Sequence, residues 1–165
     1  MIVLKNVLIA TDFGEPSQAA MAYACDVAKA FSARLHLVHV VDDLAARGTP
    51  LPVLAQDLSR LQAEREDDAR KKLNAMLDAD LRANGATTVV LTSDRPASAI
   101  LTYARDTEID LIVAGTHGRS GFADLFMGSV AQQIVRTAQC PVLTLRQAGR
   151  ERESQGVTAV VWQAS

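Results

Sequence analysis

Gly115 and Gly118, followed at a distance by Gly128 and Ser129, are residue types and spacings suited to holding phosphate. The string Gly115-Thr116-His117-Gly118 leaves an apolar run, Ile109-Asp110-Leu111-Ile112-Val113-Ala114, and leads toward a helical pattern. Glycine at a strand exit admits φ > 0 and lets main chain approach a ligand closely. A Gly-Ser pair at a helix start offers unpaired N–H groups, a hydroxyl and the positive end of the helix dipole. The chemistry on offer is anion binding. A second polar cluster, Thr11-Asp12-Phe13-Gly14, closes another apolar run, and Asp12 there reads equally as a turn-capping carboxylate and as a ligand group.

Spacing removes two common phosphate motifs. A P-loop needs Gly-x-x-x-x-Gly-Lys-Ser/Thr, and no lysine follows Lys72. A dinucleotide fingerprint needs Gly-x-Gly-x-x-Gly directly after the first strand, which Asp12-Phe13-Gly14-Glu15 does not supply; Asp42 and Asp43 alone are a weak substitute. His36, His39 and His117 are scattered and suggest no metal site. Cys25 and Cys140 lie in apolar surroundings and read as core thiols.

The elements that must position these residues alternate along the chain. Val7–Ala10 is a short continuous apolar run, as in a parallel strand buried on both faces. A helix opens at Pro16-Ser17 and runs to Ser32. Arg34–Val41 is a second strand, with Leu35 and Leu37 on one face and His36, Val38 and Val40 on the other. Residues 42–52 form a loop, and a single long helix is expected from Val53 to Asn84. Its acid-before-base pairs Glu66–Arg70, Asp67–Lys71 and Asp68–Lys72 describe a solvated face. Thr87–Thr92, Ile109–Ala114 and Val142–Arg146 are further strands, separated by helices over Pro96–Thr107 and Gly128–Ala138. Such alternation means parallel pairing with helices on both faces of one sheet. Ligand groups then gather at strand carboxyl ends: Thr11, Asp12 and Phe13; Val40 and Val41; Ala114 and Gly115.

With 165 residues, 48% of them hydrophobic and 22% charged, the chain suits one globular domain with a real core. A formal net charge of −2 gives no electrostatic reason to expect nucleic acid, so an anion must be held by local groups. No apolar run is long enough to span a bilayer, and no secretory core follows Met1, so the expected location is the cytoplasm, away from membranes.

The pattern Gly-x-x-Gly, nine residues, Gly-Ser resembles that of the universal stress protein family, in its ATP-binding branch. The likeness extends to Thr11–Ser17, to Asp110–Gly121, to Gly128–Ala131 and to Ala138–Leu143, and so covers most of residues 1–146. It implies a single-domain α/β fold of the adenine nucleotide alpha hydrolase type. The sheet would be open, mainly parallel and five-stranded, in the order 3-2-1-4-5, with its switch point between strands one and four. Residues 147–165 remain as a polar linker with room for an extra strand over Val157–Trp162. By the same resemblance, Asp12 lies by the ribose or by Mg2+ carried on the nucleotide, and backbone at Val40 and Val41 meets adenine. Gly115, His117 and Gly118 would contact ribose and phosphates, with Arg119 as a further phosphate partner. Gly128, Ser129 and Val130 would donate to the triphosphate of ATP, although Ser129 reads alternatively as a helix N-cap. One departure stands out: family members commonly carry glycine where this chain has Asp94, two positions before Pro96.

The function implied is a homodimeric, nucleotide-dependent regulatory module of the stress response, paired through the last strand of the sheet and acting on a protein partner. No residue marks a dedicated catalytic base, so at most slow ATP hydrolysis is expected. Two other readings stay open: an ATP-hydrolysing or adenylyl-transferring enzyme on this fold, and a nucleotide-free dimerisation module.

Overall fold

A computed structural model of the chain describes residues 2–46, 52–115, 128–145 and 159–162. Six strands, β1 (Asn6–Ala10), β2 (Arg34–Val41), β3 (Thr87–Thr92), β4 (Leu111–Gly115), β5 (Val142–Leu145) and β6 (Ala159–Trp162), form one sheet in the order β3-β2-β1-β4-β5-β6. The first five are parallel in the expected 3-2-1-4-5 order. The expected five-stranded sheet gains a sixth member, because β6 adds to β5 in the antiparallel sense.

The apolar runs become the centre of the sheet because every residue of a doubly covered strand must be buried. Alternation along the pleat then sorts them. Val7, Ile9, Leu35, Leu37 and Val113 pack on one face with α1 (Glu15–Phe31), α2 (Pro52–Ala75) and α3 (Ala79–Ala83). Leu8, Val38, Ile112 and Val142 pack on the other with α4 (Pro96–Asp106) and α5 (Ser129–Thr137). Proline in the first turn starts both α1 and α4, where its missing N–H would have had no helical partner. Asp110 fixes the entry to the central pair: its Oδ2 accepts from the Lys5 and Asn6 amides at 2.7 and 2.8 Å.

The single helix expected over 53–84 is broken. The chain leaves α2 after Ala75, and Asp78 begins α3, its Oδ1 accepting from the Leu81 amide at 2.7 Å. An N-cap of this kind contributes about 1 kcal/mol. Leu73, Leu77 and Leu81 nevertheless all reach the core, so the helical spacing continues in space across the break. The three charged pairs on α2 form as read, with separations of 2.7–3.2 Å and exposed lysine and arginine partners. Exposed pairs of this type add only a few tenths of a kcal/mol each.

Candidate functional site

β1 pairs with β2 on one side and β4 on the other, and the connections leaving β1 and β4 pass to helices on opposite faces. This leaves a crevice beyond their carboxyl ends. A cavity of about 290 Å3 lies there, lined by Thr11 and Asp12 from the β1 exit, Val38, His39 and Val40 from β2, and Ala114 and Gly115 from β4. Gly128, Ser129 and Val130 enter from the start of α5, while Pro96, Ile100, Ala131 and Ile134 add apolar lining.

The β1 exit is held by its own side chains. The Thr11 amide donates to the Val38 carbonyl at 3.0 Å, and the Thr11 carbonyl accepts from His39 Nδ1 at 2.7 Å, which places a proton on that nitrogen. Thr11 Oγ1 donates to Ser17 Oγ at 3.0 Å and accepts from the Phe13 amide at 3.0 Å. Ser17 Oγ in turn donates to the Gly14 carbonyl at 2.7 Å. Asp12 Oδ1 accepts from the Gly14 amide at 2.9 Å, so Asp12 closes the turn and lines the cavity as well. A Cβ at position 14 would stand 3.1 Å from that carboxylate oxygen, which favours glycine there by close approach. Phe13 sits at φ 65, a left-handed conformation that costs a side-chain-bearing residue about 1–2 kcal/mol. Its ring lies against His39, centroids 4.3 Å apart, with Lys72 Nζ 5.7 Å from the ring centroid.

The start of α5 is built differently. Gly128 is the N-cap and makes no side-chain capping bond. Ser129 is therefore the first helical residue rather than the cap. The Gln132 amide donates to the Gly128 carbonyl at 2.9 Å, and the amides ahead of it have no helical partner among the described residues. These donors, the Ser129 hydroxyl and the helix dipole favour an anion.

Of the expected site residues, the fold brings Thr11, Asp12, Val40, Ala114, Gly115, Gly128, Ser129 and Val130 to one cavity. Phe13 and Val41 stand beside it. Phe13 turns its ring to His39, and Val41 is buried with its carbonyl accepting from the Ser93 amide at 3.0 Å. His117, Gly118 and Arg119 lie outside the described residues. Sequence reasoning missed His39 and Ser17 as parts of the wall. Their signal was positional, since His39 precedes Val40 at a strand end and Ser17 opens the helix after Asp12.

Groups elsewhere in the fold also read differently in three dimensions. Glu66 does more than pair with Arg70: its Oε1 accepts from Thr92 Oγ1 at 2.8 Å and from Gln62 Nε2 at 3.2 Å. Gln62 Oε1 accepts from the Leu44 amide at 3.1 Å, so α2 ties the β2 exit to the end of β3. The Thr92 bond, before the others, holds the Glu66 carboxyl below its ordinary pKa. His36 is buried, with Nδ1 2.8 Å from the Tyr103 hydroxyl and Nε2 without a partner among the described residues. Burial, then the Arg34 charge, pushes its pKa down, so it stays a neutral sheet residue. Cys25 and Cys140 are half-buried rather than fully enclosed, and burial raises both thiols.

Residues 4–146 match the model of the universal stress protein family. The chain belongs to the universal stress protein family. A universal stress protein of Methanocaldococcus jannaschii is 31% identical over 147 residues, covering 89% of this chain and 85% of that relative. Universal stress protein UspA from Lactobacillus plantarum superposes with a TM-score of 0.69 at 29% identity, over 87% of this chain and 99% of that one. Two further universal stress protein structures, one in complex with cAMP and one from Archaeoglobus fulgidus in complex with dAMP, share the fold. Their TM-scores are 0.51 and 0.54, at 23% and 18% identity, over 87% of this chain and 97% and 98% of theirs. No helix among the described residues is long and apolar enough to cross a membrane.

Proposed function

We propose that this universal stress protein binds an adenine nucleotide, ATP in the first instance, at the β1–β4 crevice and acts as a nucleotide-dependent regulatory module. The observation that carries the reading is the uncapped start of α5 opening onto a cavity that also has an apolar side. Ser129 and the adjoining amides suit phosphates, and Val38, Val40, Pro96 and Ile100 suit a flat base. Asp12 is the acid placed to meet ribose, or Mg2+ carried by the phosphates. The cAMP and dAMP complexes of fold relatives support the adenine choice. His117, Gly118 and Arg119 complete the reading as phosphate contacts. The same reading gives the chain a homodimeric state formed at the strand edge beyond β4, and a protein partner that senses nucleotide occupancy.

Titration calorimetry with ATP, ADP, AMP and cAMP, each with and without Mg2+, tests the binding. Mass spectrometry of nucleotide released from freshly purified protein tests it without assuming a ligand. Saturable binding of at least one nucleotide is expected. No heat at millimolar nucleotide, together with no released nucleotide, overturns the reading. A steady-state phosphate-release assay then separates holding from turnover, with slow release at most expected.

A further inference from the structure

We infer that the free edge of β3 is a docking strip for an extended segment of a protein partner, which adds there as an antiparallel strand with an acidic side chain toward Arg95. β3 ends the sheet on the side away from β6, and no strand lies beyond it among the described residues. The Ser93 amide donates to the Val41 carbonyl at 3.0 Å, so Ser93 faces β2. Backbone groups alternate sides along a strand, and Thr88, Val90 and Thr92 therefore turn their N–H and C=O groups to the open side. These groups have no partner among the described residues. Sheet edges are commonly blunted by lysine, proline, a bulge or a covering element. Thr87-Thr88-Val89-Val90-Leu91-Thr92 carries no charge and no proline, pairs with β2 in unbroken register, and is only half-buried from Thr88 to Leu91.

The two faces of this edge are unlike, which defines the segment it takes. On one face α2 braces the strand: Thr88 Oγ1 donates to Asn74 Oδ1 at 3.1 Å, and Thr92 Oγ1 to Glu66 Oε1 at 2.8 Å. On the other, an open groove of about 500 Å3 lies along β3 and α4, with Leu91, Ala99 and Tyr103 in its lining. An incoming strand then sets polar residues over α2 and apolar residues in the groove, in alternation. Arg95 lines the groove where β3 hands over to α4. Its side chain is exposed and its guanidinium has no partner among the described residues, so the groove presents an unmatched cation there. Asp106, at the far end of α4, is already engaged by Arg105 at 3.0 Å. An antiparallel segment, the better-bonded sense, enters at the Arg95 end and so carries its acid near its own amino terminus. Main-chain bonds supply the affinity of such docking, and the alternate side chains its selectivity. The strip lies at the opposite edge from the proposed homodimer contact, so both can be occupied together. It rests on the protein-partner part of the functional reading and not on the nucleotide.

The test titrates the full chain, up to millimolar, into a fluorescein-labelled peptide, Thr-Glu-Thr-Val-Thr-Val-Thr, and into the same residues in reverse order, read by anisotropy. Hydrogen exchange with and without the unlabelled peptide is read at the β3 amides. Saturable binding is expected, with the acid-first peptide preferred about fivefold. Exchange at Thr88, Val90 and Thr92 should slow, while Val89 and Leu91, already bonded to β2, stay unchanged. Val90→Pro removes an open amide that makes no bond in the sheet, so the chain should keep its fold and lose affinity about tenfold. Arg95→Glu should lose the acid-first peptide and regain binding when lysine replaces the glutamate of the peptide. No binding, or unchanged exchange at the three open amides of the unmutated chain, overturns the strip whether or not Val90→Pro folds. Equal affinity for the two peptide orders overturns the register set by Arg95. A sedimentation mass that halves in folded Val90→Pro assigns the edge to a second copy and overturns the partner segment. Calorimetry with ATP on the same preparation keeps the readings apart: ATP bound without peptide removes the strip and leaves the crevice, and peptide bound without ATP does the reverse.

Discussion

The two polar sides of the cavity are built on opposite plans. At the β1 exit, Thr11, Asp12 and Ser17 spend their side-chain bonds on the chain itself, and His39 and Phe13 brace the turn from beneath. At the start of α5, the N-cap Gly128 makes no side-chain bond to the first-turn amides. One side is a surface whose side chains bond within the chain; the other, in the proposed reading, is a receptor whose first-turn donors meet a ligand. Loss of the Thr11 or Ser17 hydroxyl should therefore appear as lost stability, and damage to the α5 start as lost affinity.

That contrast can be broken in four measurements. Gly128→Val is expected to weaken nucleotide binding about a hundredfold, roughly 2.7 kcal/mol, by calorimetry. The Gly128 φ of −57 is open to any residue, so the change adds no backbone strain, and only valine's poorer N-cap propensity, about 1 kcal/mol, should lower the thermal midpoint. A large fall in midpoint would instead make Gly128 a backbone requirement and blur the distinction. Thr11→Val should behave in the reverse way. Removing the hydroxyl that serves both Ser17 and the Phe13 amide is expected to lower unfolding free energy by about 1–2 kcal/mol in denaturant titrations, with affinity following only a few-fold. Ser129→Ala should weaken ATP by about fivefold, roughly 1 kcal/mol, at unchanged stability.

The smallest effect belongs to a residue on neither side. His36 has its folded pKa pushed below the usual 6.5 by burial. Above that value both folded and unfolded chains carry it neutral, and it adds no pH dependence. As pH falls through 6.5 toward the lower folded value, the unfolded chain takes up the proton first, so stability declines. His36→Phe should flatten this decline in unfolding measured across mildly acidic pH, while nucleotide affinity at neutral pH stays the same. An unchanged slope would assign the acid sensitivity elsewhere.

What was legible in the sequence followed from burial on two sides. A strand enclosed by helices needs a continuous apolar run, as Val7–Ile9 has, whereas the half-buried edge strand Thr87–Thr92 was readable from its β-branched residues; it and Arg34–Val41 appear with the boundaries expected. The break at Asp78 was hidden because Leu73, Leu77 and Leu81 keep helical spacing across it. An aspartate in a charged helix looks solvated until its carboxylate is seen on the Leu81 amide. The Val157–Trp162 run was visible as a strand candidate, but pairing sense and partner are properties of the sheet edge, not of those residues. Within the cavity, the strand-end residues were readable from topology. His39 was not, since its contribution is a bond to a carbonyl far away in sequence.

The pairing of β1 with β4 also sets an order of assembly. Val7 must wait for Leu111, and the Lys5 and Asn6 amides must wait for Asp110. During synthesis, β1, β2 and β3 can associate early, but the crevice does not exist until β4 arrives and α5 has followed it. Contacts between such distant parts of a chain form slowly. The crevice is accordingly a late product of folding, and a nascent chain stalled before Gly128 would carry the braced turn with no α5 opposite it.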